Sequence, residues 1–191
     1  KNMVFLFILL FGSGSVWGWA SDFRTRYPLF LQCDPDWGSD IMNGTISICQ
    51  SGCAMSSVAM YLSGQNIEIP PAVPCTPKSF NTWLRTHHGY VCDKKFKDFC
   101  ADLNLPQVTN ISSRINYYGE YEKPSLEQMH ALIDKNHGLV LHVRNKTHFV
   151  LAVGYSQDSD AIFVHDPMNY TSSYSFSQVA DILDYYVSSN S

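Results

Sequence analysis

Charged side chains are scarce in this 191-residue chain, at 16% against about 25% in an average soluble domain. No run of lysine or arginine forms a basic stripe, and the formal net charge is −4, so electrostatics gives no support for nucleic-acid binding. The hydrophobic share of 45% excludes intrinsic disorder, and the shortage of charge excludes a coiled coil. The composition therefore predicts a packed globular protein, with a length that suits one domain.

The sequence also lacks an apolar run of about 20 residues, the length that spans a bilayer. The first apolar run, at 4–11, is too short, and Gly18 and Ala20 follow it with the spacing of a cleavage site. We therefore predict a secretory signal peptide at 1–20 and a single domain at 21–191. The alternatives for the first segment are a membrane anchor or a buried strand. The prediction implies a secreted or lumenal protein without stable membrane insertion after signal cleavage.

Secretion affects how the cysteines are interpreted, because an oxidising compartment permits disulfides. The six cysteines are Cys33, Cys49, Cys53, Cys75, Cys92 and Cys100. A domain of about 170 residues buries enough surface to fold without bridges, so one cysteine is available for chemistry. Four N-x-Ser/Thr sequons, which are candidate glycosylation sites, begin at Asn43, Asn110, Asn145 and Asn169.

Apolar spacing and capping residues predict helices in the first two thirds of the chain. Residues 53–63 carry apolar side chains at intervals of three and four. Thr76 and Pro77 begin a second helix, and 93–103 forms a third, weaker one. Ser125, with Gln128 three residues later, makes a capping box for a fourth helix.

The period changes in the last third of the chain. Short apolar runs at 139–143, 149–153 and 161–165 predict buried strands, and the short connections between them predict antiparallel pairing. A further capping box predicts a final helix at 176–186. Residues 28–50 lack a clear period and are expected to form an extended loop. Helices followed by a strand meander indicate an α+β fold with segregated layers.

Cys53 is the first candidate for chemistry, because it lies where the apolar helix is predicted to begin. The free N–H groups and partial positive charge of a helix N-terminus favour a thiolate, which is the nucleophilic form of cysteine. Gly52 allows close approach of the chain at that point. The structural alternative is a disulfide partner or an inert core thiol.

Three further residues complete a catalytic hypothesis. His148 begins a predicted strand, where its imidazole can lie beside the thiol of Cys53. Asp166 ends the neighbouring strand, where a carboxylate can orient the imidazole. The amide of Gln32 can donate to a developing oxyanion beside the backbone N–H of Cys53. Taken singly, His148 is also explained as a structural histidine and Asp166 as a turn residue.

Four blocks in the same order resemble a known family. They are QCDPDW at 32–37, QSGCAMSSVAM at 50–60, HFVLAVGY at 148–155 and IFVHDP at 162–167. These blocks are similar to those of stand-alone relatives of the bacteriocin (double-glycine) leader peptidases, cysteine peptidase family thirty-nine of the papain-like clan. The resemblance covers about 28–170.

The resemblance implies a papain-like cysteine peptidase fold, in which a helix carrying the nucleophile packs on an antiparallel sheet. It implies Cys53 as nucleophile, His148 as base, Asp166 as orienting residue and Gln32 as oxyanion donor. Many relatives carry Gly and Pro after the cysteine, where this chain has Ala54 and Met55. Because the chain has no transport spans or nucleotide-binding loop, double-glycine specificity is not expected to carry over.

With Cys53 as nucleophile, five cysteines remain for two bridges and one free thiol. A bridge between Cys33 and Cys49 pins the loop that holds Gln32, whereas the second pair among Cys75, Cys92 and Cys100 stays open.

The sequence supports two main functional hypotheses. The first is a secreted cysteine hydrolase that cleaves peptide or amide bonds through a Cys-His-Asp triad and an acyl-enzyme, with no cofactor and a peptide or protein substrate. The second is a catalytically inactive secreted binding domain on the same fold, suggested by the sequons at Asn145 and Asn169. A metal site at His87, His88, Cys92 and Cys100 is a third, weaker alternative, because the spacing matches no closed zinc pattern. The sequence does not indicate the oligomeric state.

Overall fold

The computed structural model describes residues 21–92 and 101–189. The strands are β1 (Ser21–Asp22), β2 (Ile41–Asn43), β3 (Ile46–Ser47), β4 (Glu68–Ile69), β5 (Val73–Pro74), β6 (Tyr90–Val91), β7 (Asp102–Leu103), β8 (Ile115–Glu122), β9 (Gly138–Val143), β10 (His148–Tyr155), β11 (Ala161–His165), β12 (Ser173–Ser175) and β13 (Asp181–Val187). The α-helices are α1 (Ile48–Ser51), α2 (Cys53–Gly64), α3 (Pro77–Thr86) and α4 (Leu126–Asp134). Two 3-10 helices lie at Leu105–Ile111 and Phe176–Gln178.

Helix α2 is the central helix of the fold, and it confirms the helix predicted at 53–63. Every residue from Met55 to Leu62 is buried. A helix that is buried on all sides must be packed between other elements. It lies against β10 and β9, and the hydroxyl of Ser57 donates to the carbonyl of Phe149 at 3.3 Å. The start of α2 is thereby fixed relative to the start of β10.

The other predicted helices form where capping boxes occur. Thr76 and Ser79 cap α3 reciprocally, with Pro77 in its first turn, and Ser125 and Gln128 cap α4 in the same way. Residues 93–100 of the predicted third helix lie outside the described residues, as do 1–20 of the predicted signal peptide. Asp102 and Leu103 belong to a strand, β7, that pairs with β6.

The main sheet is antiparallel, in the order β12-β11-β10-β9-β13-β8, and β1 pairs with β10. It contains the three predicted strands at 139–143, 149–153 and 161–165. One face packs against α2, which in turn contacts α3, and a second apolar cluster on the other face includes Met129 and Ile133 of α4. This packing of α2 on an antiparallel sheet is the papain-like α+β fold that was predicted.

The prediction of a final helix at 176–186 is wrong. The capping box between Ser175 and Gln178 forms, but it caps only one 3-10 turn. The chain then becomes β13, which pairs with both β9 and β8. Its side chains alternate between the two apolar clusters, with Leu183 in one and Ile182 in the other. Pairing on both edges therefore outweighs the local helical signal.

The segment at 28–50 is mostly irregular, as expected, but it ends in the β2–β3 hairpin and α1. A disulfide joins Cys33 to Cys49 and closes this segment on itself, as the sequence suggested. Cys92 is also disulfide-bonded, with its partner outside the described residues, whereas Cys53 and Cys75 are free thiols. Within 21–92 and 101–189, no helix has the length and apolar character needed to cross a membrane.

Candidate active site

Cys53 is the first residue of α2, and its side chain is partly exposed. The preceding residue, Gly52, provides no side-chain cap, so the first N–H groups of the helix stay available to a ligand. A Cβ on Gly52 would lie 2.5 Å from the carbonyl oxygen of Ile48. Glycine is therefore required for α1 to pass this close to the start of α2.

His148 is the first residue of β10 and is buried at 5% exposure. Its Nε2 lies 2.7 Å from Oδ1 of Asp166, which leaves Nδ1 as the ring nitrogen that can interact with the nearby Cys53 side chain. Burial acts to lower the pKa of His148, but the hydrogen bond to Asp166 and the nearby Cys53 side chain outweigh it and raise that pKa to about 9. The site therefore favours a protonated imidazole between a carboxylate and a thiol.

Asp166 follows β11, and the strand register explains why it reaches His148. Leu151 pairs with His165, so the residues one position further along, Val150 and Asp166, stand opposite each other. Because His148 is two residues beyond Val150, it lies diagonally across from Asp166 on the same face. The sequence alone placed both residues at strand ends without giving this register.

The Asp166 carboxylate is buried and fully bonded. Oδ1 also accepts the N–H of Met168 at 2.8 Å, and Oδ2 accepts the hydroxyl of Tyr174 at 3.3 Å. Burial acts to raise the pKa of Asp166, but the bonds from His148 and the Met168 N–H prevail and lower it. Asp166 is therefore ionised over the whole neutral range and is held rigidly beside His148.

Gln32 is held between the Asp166 turn and the start of the Cys53 helix. Its backbone N–H donates to the carbonyl of Pro167 at 2.9 Å, and its side-chain Nε2 donates to the carbonyl of Cys49 at 2.8 Å. The Cys33–Cys49 disulfide ties the next residue to the same helix. Nε2 carries a second hydrogen, which remains for another acceptor. The structure thus gathers all four predicted site residues in one region.

An aromatic side chain that the sequence did not single out covers this site. Tyr170 packs edge-on against the His148 ring, with 5.6 Å between centroids, and the Arg144 guanidinium lies 4.5 Å from the Tyr170 centroid. Arg144 also lies near Tyr174, whose hydroxyl donates to Asp166 at 3.3 Å. No sequence pattern indicates this cover, because its members meet only through the folded turns.

The turn between β9 and β10 has an unusual backbone. Arg144, Asn145 and Lys146 all have positive φ, at 53°, 55° and 63°, and none is glycine. Such consecutive left-handed residues are strained and occur where the surrounding structure needs them. The turn directs Arg144 to Tyr170 and Lys146 to the carboxylate of Asp181, at 2.7 Å.

A cleft of about 560 Å³ lies beside Cys53. His142 is one of its lining residues. Its Nδ1 lies 2.8 Å from Asp181, and its ring stacks on Phe149 at 3.9 Å between centroids. Tyr117, Tyr118 and Tyr121 lie on β8.

The remaining predictions concern surface chemistry. The four sequon asparagines are exposed: Asn43, Asn110, Asn145 and Asn169.

The alternative metal site loses a thiolate ligand, because Cys92 is disulfide-bonded. His87 of that cluster stacks on Trp83, and its Nδ1 lies 2.9 Å from the Trp83 carbonyl oxygen. Cys100 lies outside the described residues.

A family model and a solved structure are similar to this chain. The model of the Peptidase_C39-like family matches residues 25–190. A solved structure of a Bacillus anthracis protein assigned to the C39-like peptidases shares 13% identity over 88% of this chain and 98% of that one, with a TM-score of 0.46. No curated protein matches the chain.

Proposed function

The chain belongs to the Peptidase_C39-like family, and from this premise we propose that it is a secreted cysteine peptidase with a Cys53-His148-Asp166 triad. The family implies a peptide or protein substrate. The observation that carries the proposal is the 2.7 Å hydrogen bond between His148 and the buried Asp166, with Cys53 close enough to raise the pKa of the same imidazole. This order of nucleophile, base and orienting acid is what covalent acyl transfer requires.

The first half of the reaction forms an acyl-enzyme. The Cys53 sulfur attacks the scissile carbonyl carbon, and the carbonyl oxygen becomes an oxyanion. The N–H of Cys53 at the helix start and the free hydrogen of Gln32 Nε2 donate to it. The His148 imidazolium gives its proton to the leaving nitrogen, the C–N bond breaks, and a thioester remains on Cys53.

The second half of the reaction releases the acid. His148, now neutral, takes a proton from water as the water oxygen attacks the thioester carbonyl. The C–S bond breaks, and the Cys53 thiolate leaves beside the newly protonated imidazole. Asp166 stays ionised throughout, because its low pKa is maintained by the bonds that also orient His148. Tyr170 covers the His148 ring and limits the access of bulk water to the His148–Asp166 bond.

Secretion is part of the same proposal. The disulfide between Cys33 and Cys49, and the bonded state of Cys92, are typical of a protein that matures in an oxidising compartment. The predicted signal peptide at 1–20 and the four exposed sequons agree with this assignment. Deglycosylation and N-terminal sequencing of the protein expressed in a secretory cell are expected to show attached glycans and a start near residue 21.

The second candidate function is an inactive binding domain, favoured by one observation. Asn145 and Asn169 are exposed in the two turns that flank His148, one beside Arg144 and the other beside Tyr170. Glycans on both would narrow the approach to the site. Activity that appears only after removal of both sequons by Asn→Gln substitution would favour this candidate for the glycosylated form.

The experiment that tests the proposal is digestion of a proteome-derived peptide library, read by mass spectrometry. The wild type is expected to generate new termini that are absent with Cys53→Ala and with His148→Ala. Cys75→Ala is the matched control, because Cys75 is the other free thiol within residues 21–92 and 101–189 and is buried away from the cleft. Termini that persist in Cys53→Ala, or none with the wild type, contradict the proposal.

A further inference from the structure

The cleft beside Cys53 is large enough for a long side chain. Its volume of about 560 Å³ falls within the range of small-ligand sites. Ala54 of α2, together with Phe149 and Leu183 of the sheet, gives it apolar walls. Methylene groups that pack there leave water, which is favourable. The cleft therefore suits an extended side chain rather than only a glycine next to the reacting bond.

A group of titratable side chains lies at the cleft, where Glu120 and His142 are lining residues. Glu120, His142 and Asp181 each direct one polar atom to the same place, and these atoms lie within 4.8 Å of one another. Three adjacent strands supply them, because Asp181 pairs with His142, and Leu183, two residues on, pairs with Glu120. Convergent groups of this kind focus negative potential at one point in a partly enclosed space.

The two carboxylates of this group, Asp181 and Glu120, differ in their ion-pair partners. Asp181 is buried, and its two oxygens are occupied by His142 Nδ1 at 2.8 Å and Lys146 Nζ at 2.7 Å. Lys146 therefore neutralises Asp181, and it acts on Glu120 only at longer range. Among the described residues, no ion pair within 4.0 Å engages the exposed Glu120. The exposed Glu120 carboxylate thus remains available in the cleft that Cys53 also lines, with Asp102 as a further acidic lining residue.

We propose that this cleft recognises an arginine or lysine side chain close to the scissile bond of a peptide. The stem packs against Ala54 and Phe149, and the cationic end pairs with the Glu120 carboxylate. This inference rests on the proposed function, since it names the substrate class of the same site. Glu120 acts here as a specificity-determining residue and takes no part in the bond-breaking steps.

The test measures peptide binding without cleavage, so that it is independent of turnover. The Cys53→Ala protein is titrated with blocked alanine hexapeptides that carry one arginine at each position in turn, or citrulline, its uncharged analogue, at the same position. At one position, arginine is expected to bind roughly three- to fivefold tighter than citrulline. This difference is expected to shrink at about 0.5 M salt, because the pair is exposed.

Three charge variants in the same Cys53→Ala background locate the effect. Glu120→Gln is expected to abolish the arginine preference. Glu127→Gln, which removes an equal charge from exposed α4 outside the cleft, is expected to retain it. Lys146→Met is expected to increase it, because Asp181 then loses its neutralising partner. Equal binding of arginine and citrulline at all positions, or equal loss in Glu120→Gln and Glu127→Gln, overturns the inference.

The active protein separates this inference from the proposed function. If Cys53→Ala shows the Glu120-dependent preference but the wild type cleaves none of these peptides, the inference stands and the proposed peptidase activity fails. If the wild type cleaves the citrulline peptides as fast as the arginine peptides, and binding shows no preference, the activity stands and the inference fails. Tighter binding of a glutamate-containing peptide that is lost in Lys146→Met would also overturn the inference, by showing the opposite charge preference.

Discussion

Asp166→Asn tests the role of the Asp166 charge in the proposed triad, because asparagine keeps the shape of the side chain and removes its charge. The carboxylate is 2% exposed and accepts three hydrogen bonds, from His148, Met168 and Tyr174. An amide oxygen can still accept from Met168. It cannot supply the negative charge that stabilises the His148 imidazolium.

The magnitude follows from the pKa of His148. Its rise from 6.5 to about 9 corresponds to about 3 kcal/mol in favour of the imidazolium, at 1.36 kcal/mol for each tenfold change in acidity. Asp166 and Cys53 share this effect, and the bond to Asp166 is the larger contribution. Asp166→Asn is therefore expected to lower kcat/KM roughly ten- to three-hundredfold, with a lower pKa of His148.

The assay pairs activity with a direct titration. The reaction of Cys53 with iodoacetamide gives the loss of nucleophile activation, and NMR titration of His148 gives its pKa in the wild type and in Asp166→Asn. Asp184→Asn is the matched control, because Asp184 is also buried and lies 2.7 Å from a histidine, His137. It is expected to lower stability without altering either readout. An unchanged His148 pKa in Asp166→Asn, or an equal loss of reactivity in Asp184→Asn, would show that the Asp166 carboxylate does not stabilise the His148 imidazolium.

Three further predictions concern stability. Because the pKa of His148 in the folded protein is above its unfolded value, the stabilisation that His148 contributes is complete below about pH 6.5 and is lost as the pH rises through about 9. The free energy of unfolding, measured by urea denaturation across this range, should therefore decline in the wild type but not in His148→Gln. Gly52→Ala, whose Cβ meets the Ile48 carbonyl, should cost about 1–3 kcal/mol and slow Cys53 alkylation, and an unchanged Tm would contradict this. Replacing Cys33 and Cys49, 16 residues apart, by serine should cost about 3 kcal/mol, and full stability in reducing agent would oppose it.

The parts of the fold that could be predicted are those determined by local signals. Helix α2 follows from the spacing of its apolar residues, α3 from Thr76 and Pro77 at its start, and α4 from the capping box of Ser125 and Gln128. The prediction failed at β13, where the capping box of Ser175 extends for a single turn and the following strand is fixed by partners on both sides. β8 was missed because seven of its eight residues are not buried, which hides the alternation expected of a strand.

For the candidate site, sequence patterns located several residues but not their arrangement in space. Cys53, His148 and Asp166 occupy a helix start and two strand ends, positions that sequence patterns locate. Their mutual approach depends on the register of β10 and β11, which no local pattern specifies. Tyr170 and Glu120 remained unseen for a related reason: one covers His148 through a turn, and the other reaches the cleft from the edge strand.

The central claim is that His148 activates Cys53, and the pH dependence of alkylation tests it most directly. The natively folded protein is treated with iodoacetamide between pH 5 and pH 9, and the peptide containing Cys53 is followed by mass spectrometry, with Cys75 as the internal buried thiol. A thiolate paired with an imidazolium reacts at pH values where an isolated thiol does not. If His148 activates Cys53, alkylation at pH 6 is expected to be at least about tenfold faster in the wild type than in His148→Gln. Equal rates in the two proteins at pH 6, or Cys53 recovered in a disulfide, would contradict it.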